Sequence, residues 1–393
     1  MSLGPDDAAT PDAPARHAEP PVAAPAATPR ASILRREAWV DAVLPTILLR
    51  GVILVYAFLS VIVIESGALG SRSFLEIWNR WDAPHFIEVA AVGYVDPARI
   101  VLFPLLPALI RIGSLVTQPL VAGMVISFVA TLAAAAGLHR LIRMDHARPI
   151  ARWGVLAMSI FPTAFTLVAA YSEAPFLAFT VWSFVSARGG RWPAAGLLAL
   201  FAGATRIQGA FILPALLVEY WLARRRVGRD ASWLLLAAGG PLIYLAINAA
   251  SFGDALYFLD VQREVFKVST VAPWTAIANA WNGILAFEPN RIWATVYLAP
   301  FVAICVLAAT TLWTLIGRGS RPSYAVYTGI TLLSFLTLSW PISVPRYLMG
   351  VFPIFIAAGV LGRKPWLGPP LFVASTLLFA LCTALFVTGH WAF

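Results

Sequence analysis

The chain has 393 residues, of which 60% are hydrophobic and only 12% charged. That balance lies far from a soluble globular domain and exceeds what one buried core absorbs, so the sequence reads as a membrane protein. The net charge of +9 does not point to nucleic acid, because the basic residues sit in short clusters between apolar runs, which is a topology signal.

Residues 1–38 open the chain, and the first thirty are rich in Pro and Ala with almost no large apolar side chains. Such a stretch cannot offset the entropy of ordering, which predicts a disordered cytoplasmic tail. Residues 39–393 are predicted to form one integral membrane domain. Its first apolar run begins near Asp41 and is long enough to span a bilayer, so it reads as a retained helix and not a cleaved signal. Spans are predicted near 41–65, 119–141, 153–170, 174–187, 193–205, 209–223, 233–250, 292–316, 323–340, 348–362 and 367–388. Clusters at Arg30/Arg35/Arg36, Arg140/Arg143/Arg148/Arg152, Arg188/Arg191, Arg224/Arg225/Arg226/Arg229, Arg318/Arg321 and Arg363/Lys364 belong on the cytoplasmic side. Two clusters on one side require an even number of crossings between them, so 153–187 and 192–223 each divide into a hairpin or a re-entrant pair. Eleven crossings satisfy every cluster, with the N-terminus inside and the C-terminus outside. The fold class is an all-α polytopic membrane protein.

This topology leaves 66–118, 171–173, 205–208, 251–291 and 341–347 outside, carrying Asp82, Glu88, Asp96, Glu173, Asp254, Asp260, Glu264 and Glu288. The cytoplasmic loops hold little acid beyond Asp145 and Asp230, so the outer face is the candidate site. In the first outer loop, Phe74, Ile77, Trp78 and Trp81 fall at helical spacing, as do Phe86, Val89, Ala90 and Gly93. Two short Trp- and Phe-rich helices of this kind lie in the membrane interface. Asp82 falls at the break between them, level with lipid headgroups. The run Asp-Ala-Pro is equally good helix N-cap chemistry, and one carboxylate can serve both roles.

The next signals are Tyr171–Glu173 at a tight hairpin, then Arg206 and Gln208 in ATRIQG, then Arg346 and Tyr347 in SVPRY. Ionisable groups at membrane depth cost about 2.5–3.5 kcal/mol and tend to pair or face a polar cavity. A lone arginine on the outer side opposes the positive-inside bias; it either snorkels to headgroups or binds a substrate phosphate through its planar fork. FPLLP at 103–107 is predicted to break any helix at both prolines. The charged run of 251–267, with Asp254, Asp260, Gln262, Arg263 and Glu264, reads as a solvated amphipathic helix. Cys305 and Cys382 lie in apolar runs without a CxxC, and no phosphate loop, HExxH or GxSxG is present. An enzyme on the outer face would need a membrane-delivered donor.

These stretches together resemble one family. WDAPHFIEVAAVGY resembles the first-loop motif WDGxHFxxIAxxGY of the GPI mannosyltransferase 2 (PIG-V) family, in the GT-C superfamily of polyprenyl-phosphate-sugar-dependent glycosyltransferases. FPLLPALIR, PTAFTLVAAYSEAPFLAF, ATRIQG, FGDALYFLDVQ and PRYLMGVFP are similar to later blocks in the same order, across about 75–355. Ala83-Pro84 departs from the family's usual Gly and variable residue. The resemblance implies a GT-C-type bundle and an inverting mannosyl transfer from polyprenyl phosphate to a hydroxyl of a glycolipid, glycan or protein. Asp82 would be the general base, and Arg206 and Arg346 would bind the donor phosphate. Trp81, His85, Tyr171, Glu173, Gln208 and Tyr347 would shape the pocket. No cofactor or metal is implied; His85, with no second histidine near it in the outer segments, reads as a hydrogen-bond partner. The composition and the implied chemistry suit a bacterial plasma membrane. Two alternatives stay open: a transporter or flippase for a lipid-linked sugar, or a transferase using another polyprenyl-linked sugar such as arabinose.

Overall fold

A computed structural model describes residues 36–64, 73–317 and 320–392; most of the predicted tail therefore lies outside the described residues. In chain order the principal helices are α1 (Arg36–Ile64), α2 (Asp82–Val92), α3 (Leu105–Gly113), α4 (Pro119–Arg143), α5 (Arg148–Ser159), α6 (Glu173–Arg188) and α7 (Trp192–Gly203). There follow α8 (Ile212–Arg224), α9 (Arg229–Phe252), α10 (Tyr257–Glu264), α11 (Pro273–Ala286), α12 (Trp293–Ile316) and α13 (Pro322–Leu336). The chain ends in α14 (Val344–Gly350), α15 (Pro353–Gly362) and α16 (Gly368–Val387). No strand occurs among the described residues.

This is an integral membrane protein. Five described helices are long and apolar enough to cross a bilayer, namely α1, α4, α9, α12 and α16, and a sixth candidate is the pair α14/α15, bent by 85°. Each of the other predicted spans coincides at least partly with helix, but those helices are short, so length and composition do not establish eleven crossings. The 153–170 span in particular stops at Ser159 and continues as turns and a single 3₁₀ segment, Ala164–Leu167.

The short helix α6 is the axis of the bundle. A helix apolar all round must be covered all round, and from Glu173 to Ala187 nearly every residue of α6 is buried. It packs on α4 and α7, while α5 packs on α15. Without a hydrophobic drive between lipid-solvated helices, close approach depends on small residues. At Gly359 a Cβ would stand 2.5 Å from the Ile150 carbonyl oxygen.

The segment 73–118 departs from its sequence reading in three ways. FLEIWNRW forms only one 3₁₀ turn, Glu76–Trp78, whose Ile77 and Trp78 are fully buried in the main core; Trp78 lies against Phe386 of α16. The predicted stripe of α2 exists, but Phe86 and Ala90 face Leu106 and Ile110 of α3 and so contact protein, where a lipid-facing helix was predicted. FPLLP starts a helix where it was predicted to break one. Pro104 is the N-cap of α3 and Pro107 sits in its first turn, where a missing N–H leaves no hydrogen bond unmade.

Candidate functional site

Four segments remote in sequence converge on one buried ionic cluster. Asp82 is the first residue of α2 and makes no side-chain cap; the N-cap position is Trp81. Its carboxylate instead accepts from Arg346 Nη1 at 2.6 Å. The N-cap reading of Asp82 is thereby corrected: the side chain is turned across the bundle toward α14. Trp81 holds φ 55°, rare for a residue with a Cβ, at a cost of about 1–3 kcal/mol. The indole of Trp391 packs edge-on against Trp81, 5.1 Å between centroids.

Glu173 begins α6 and its side chain is 1% exposed. Its Oε1 accepts from Arg206 Nη1 at 2.6 Å and lies 2.9 Å from Arg346 Nε. Arg206 Nη1 also donates to Ser172 Oγ at 2.9 Å, and its Nε donates to Gln208 Oε1 at 3.4 Å. The two guanidinium groups are nearly buried, and Tyr347 lies beneath both, 4.7 Å from Arg206 Cζ and 5.2 Å from Arg346 Cζ. Arg346 also stands over the Tyr171 ring at 5.4 Å. Cations over aromatic faces gain most when they are out of water, as here.

Tyr171 ties the acid to the bundle. Its hydroxyl accepts from the Asp82 backbone N–H and donates to the Arg80 carbonyl, each at 3.2 Å. Burial first, and then the negative Asp82, push this phenol well above the ordinary tyrosine range. It stays a neutral donor.

The turn that presents Arg206 depends on glycine. A Cβ on Gly209 would stand 2.3 Å from Gly203 Cα, and one on Gly240 would stand 2.3 Å from the Ala204 nitrogen. Three backbones therefore meet where no side chain fits. The same turn holds α3, because the Leu105 N–H donates to the Ala204 carbonyl at 3.0 Å.

Of the residues singled out from sequence, Asp82, Tyr171, Glu173, Arg206, Gln208, Arg346 and Tyr347 come together, and Trp81 adjoins them. His85 points to a different set: its Nδ1 lies 3.8 Å from Glu88, which pairs with Arg99 at 2.7 Å. No group of three or more His, Cys, Asp or Glu side chains that could hold a metal occurs among the described residues. Sequence reasoning gave no role to Ser172, which bonds Arg206, or to the C-terminal segment, where Trp391 packs on Trp81 and the Val387 carbonyl accepts from Arg80 at 3.4 Å. Ser172 carries no charge of its own beside Glu173, and no Asp, Glu, Lys or Arg marks the stretch around Val387 and Trp391. Two cavities, near Arg224 and near Asp41, are lined by residues outside this cluster. The chemistry is judged from the charged groups and not from cavity size, because a site for a lipid-borne substrate can be an open groove.

Fold and cluster together define a polytopic helical membrane protein with an acid–arginine site at one end of its bundle. Residues 57–221 match the family described as Mannosyltransferase (PIG-V), and that stretch is a PIG-V-like segment. It contains Asp82, Glu173 and Arg206, while Arg346 lies beyond it. A curated relative, the GPI alpha-1,6-mannosyltransferase 2 of Mus musculus, is 30% identical over 151 residues, which is 35% of this chain and 31% of the relative. The chain thus aligns with under a third of that relative's length. No solved structure matches the chain significantly.

Proposed function

We propose that the protein is an inverting mannosyltransferase of the GT-C type, moving mannose from a polyprenyl-phosphate donor to a hydroxyl of a glycolipid, glycan or protein on the extracytoplasmic face. The observation that carries this reading is the convergence of Asp82, Glu173, Arg206 and Arg346 from four segments into one cluster, with Asp82 its one partly exposed carboxylate, at 30%. Asp82 takes the proton of the acceptor hydroxyl as that oxygen bonds to the anomeric carbon. The bond from that carbon to the phosphate oxygen breaks with its electron pair, and the polyprenyl phosphate leaves from the opposite face. Arg206 and Arg346 balance the charge growing on the phosphate; fixed donors in a water-poor site do this without large reorganisation. Trp81, Tyr171, Gln208 and Tyr347 bound the pocket, and no cofactor is needed for the transfer.

The accompanying topology has eleven crossings, a cytoplasmic N-terminus and a bacterial plasma membrane as its setting. Ion pairs at the other end of the bundle support one part of it, a common side for the basic clusters. Arg188 pairs with Asp145, Arg224 with Asp230 at 2.9 Å, and Arg321 with Glu219 at 2.8 Å, so arginines of several basic clusters are tied down by the few acids near them. Purified protein incubated with polyprenyl-phosphate-mannose and a native lipid extract should yield a hexose-bearing product by mass spectrometry. No such product with any lipid, glycan or peptide acceptor sinks the proposal.

A further inference from the structure

The four charged groups of the cluster are not equivalent. Glu173 is buried and holds both arginines through a single oxygen. Arg206 has three side-chain partners, Glu173, Ser172 and Gln208, all on buried residues. Asp82 alone reaches solvent, and it occupies the Nη1 edge of Arg346 at 2.6 Å. The candidate base and the candidate phosphate ligand thus neutralise one another.

We infer that Asp82 and Arg346 form a latch that the donor opens: the phosphate of the lipid-borne sugar takes the Nη1 edge of Arg346 from Asp82, and so releases the carboxylate to act as base only when donor is in place. The inference rests on the mannosyltransferase reading and deepens it. Access decides which end of the pair moves. The donor's phosphate, a diester with one negative charge like the carboxylate, can reach the cluster from the Asp82 side, where the carboxylate is partly wet, and its two non-bridging oxygens compete there for the same donor fork. It cannot compete at Glu173, which is enclosed. Arg346 therefore keeps Glu173 as its pivot while it exchanges its outer partner, and Glu173 is a positioning residue that holds two guanidinium groups of like charge side by side. The neutral Tyr171 hydroxyl keeps the Asp82 backbone in place through the exchange. Without donor, the base is masked and cannot activate water or an acceptor unproductively.

The latch makes a prediction opposite in sign to a simple binding role. If Arg346 is free of Asp82 only about a tenth of the time, removing the competing carboxylate raises phosphate affinity about tenfold. Binding of a polyprenyl phosphate is measured on the full chain in lipid nanodiscs. Asp82→Asn and Asp82→Ala are expected to bind it about tenfold tighter than the unaltered protein, and Glu173→Gln more weakly. Folded Asp82 variants that bind equally or less tightly overturn the latch while leaving the transferase reading standing. Absence of binding by the unaltered protein removes both. A measurement on the unaltered chain covers the case in which neither variant folds: carbodiimide labelling of Asp82 should rise when polyprenyl phosphate is added, and an unchanged or lower yield overturns the latch.

Discussion

Two acid–arginine clusters flank α4, and they are built in opposite senses. Near its start Ser127 bonds the Tyr171 carbonyl; near its end His139 lies 3.6 Å from Asp41. Twelve residues of helix separate the two points, roughly 18 Å. At the far cluster the acid is hidden and the arginines are wet: the Asp41 side chain is 3% exposed, whereas Arg148 and Arg152 are 46% and 65% exposed. Arg148 grips Asp41 with two nitrogens, at 2.5 and 3.0 Å. At the near cluster the bases are hidden, at 9% each, and one acid, Asp82, is wet. A buried carboxylate with exposed arginines fastens a helix end. Buried arginines behind a partly exposed carboxylate leave that carboxylate within reach of solvent, which is what the proposed transfer needs.

Four substitutions test this contrast. Asp82→Asn keeps the shape of the side chain and removes the base, so turnover per folded molecule should fall by about 10²–10⁴, while the charge lost opposite Arg346 should cost about 1.5–3 kcal/mol; a mannosyl-transfer assay beside a thermal melt checks both. Glu173→Ala strands two guanidinium groups in a closed site and should cost about 3–5 kcal/mol of stability, read by denaturation in mixed micelles. Asp41→Asn strips the charge from the far cluster's hydrogen bonds and should cost about 1.5–3 kcal/mol, while turnover per folded molecule holds. Arg152→Ala removes an exposed partner 3.8 Å from Asp41 and should move stability by no more than about 0.5 kcal/mol. Equal losses of turnover at Asp41 and Asp82 would erase the distinction between anchor and site.

Tyr171 and Tyr347 lie against the guanidinium groups of the near cluster, whose side chains are 9% exposed, so each ionic contact is stronger than the same pair at a wet surface. The strain at Trp81 falls at the residue before the candidate base, where strained backbone is often found in working sites.

The sequence by itself determined the membrane class, the helical content and the identity of the chemically capable residues, because apolar run length, charge bias and misplaced arginines are all local signals. It also marked Glu173 and Arg206 as costly residues that need partners. Only tertiary structure decided who partners whom. Arg346 is 264 positions from Asp82, and no periodicity encodes that pairing. The fate of the first-loop helices was equally hidden: an apolar stripe on a short helix fits lipid or protein alike, and it is the arrival of α3 and α16 that claims Phe86 and Trp78 for the core. FPLLP was misread for a related reason, since proline breaks a helix or begins one according to where the first turn falls, and the bond from Leu105 to Ala204 fixes that turn from outside.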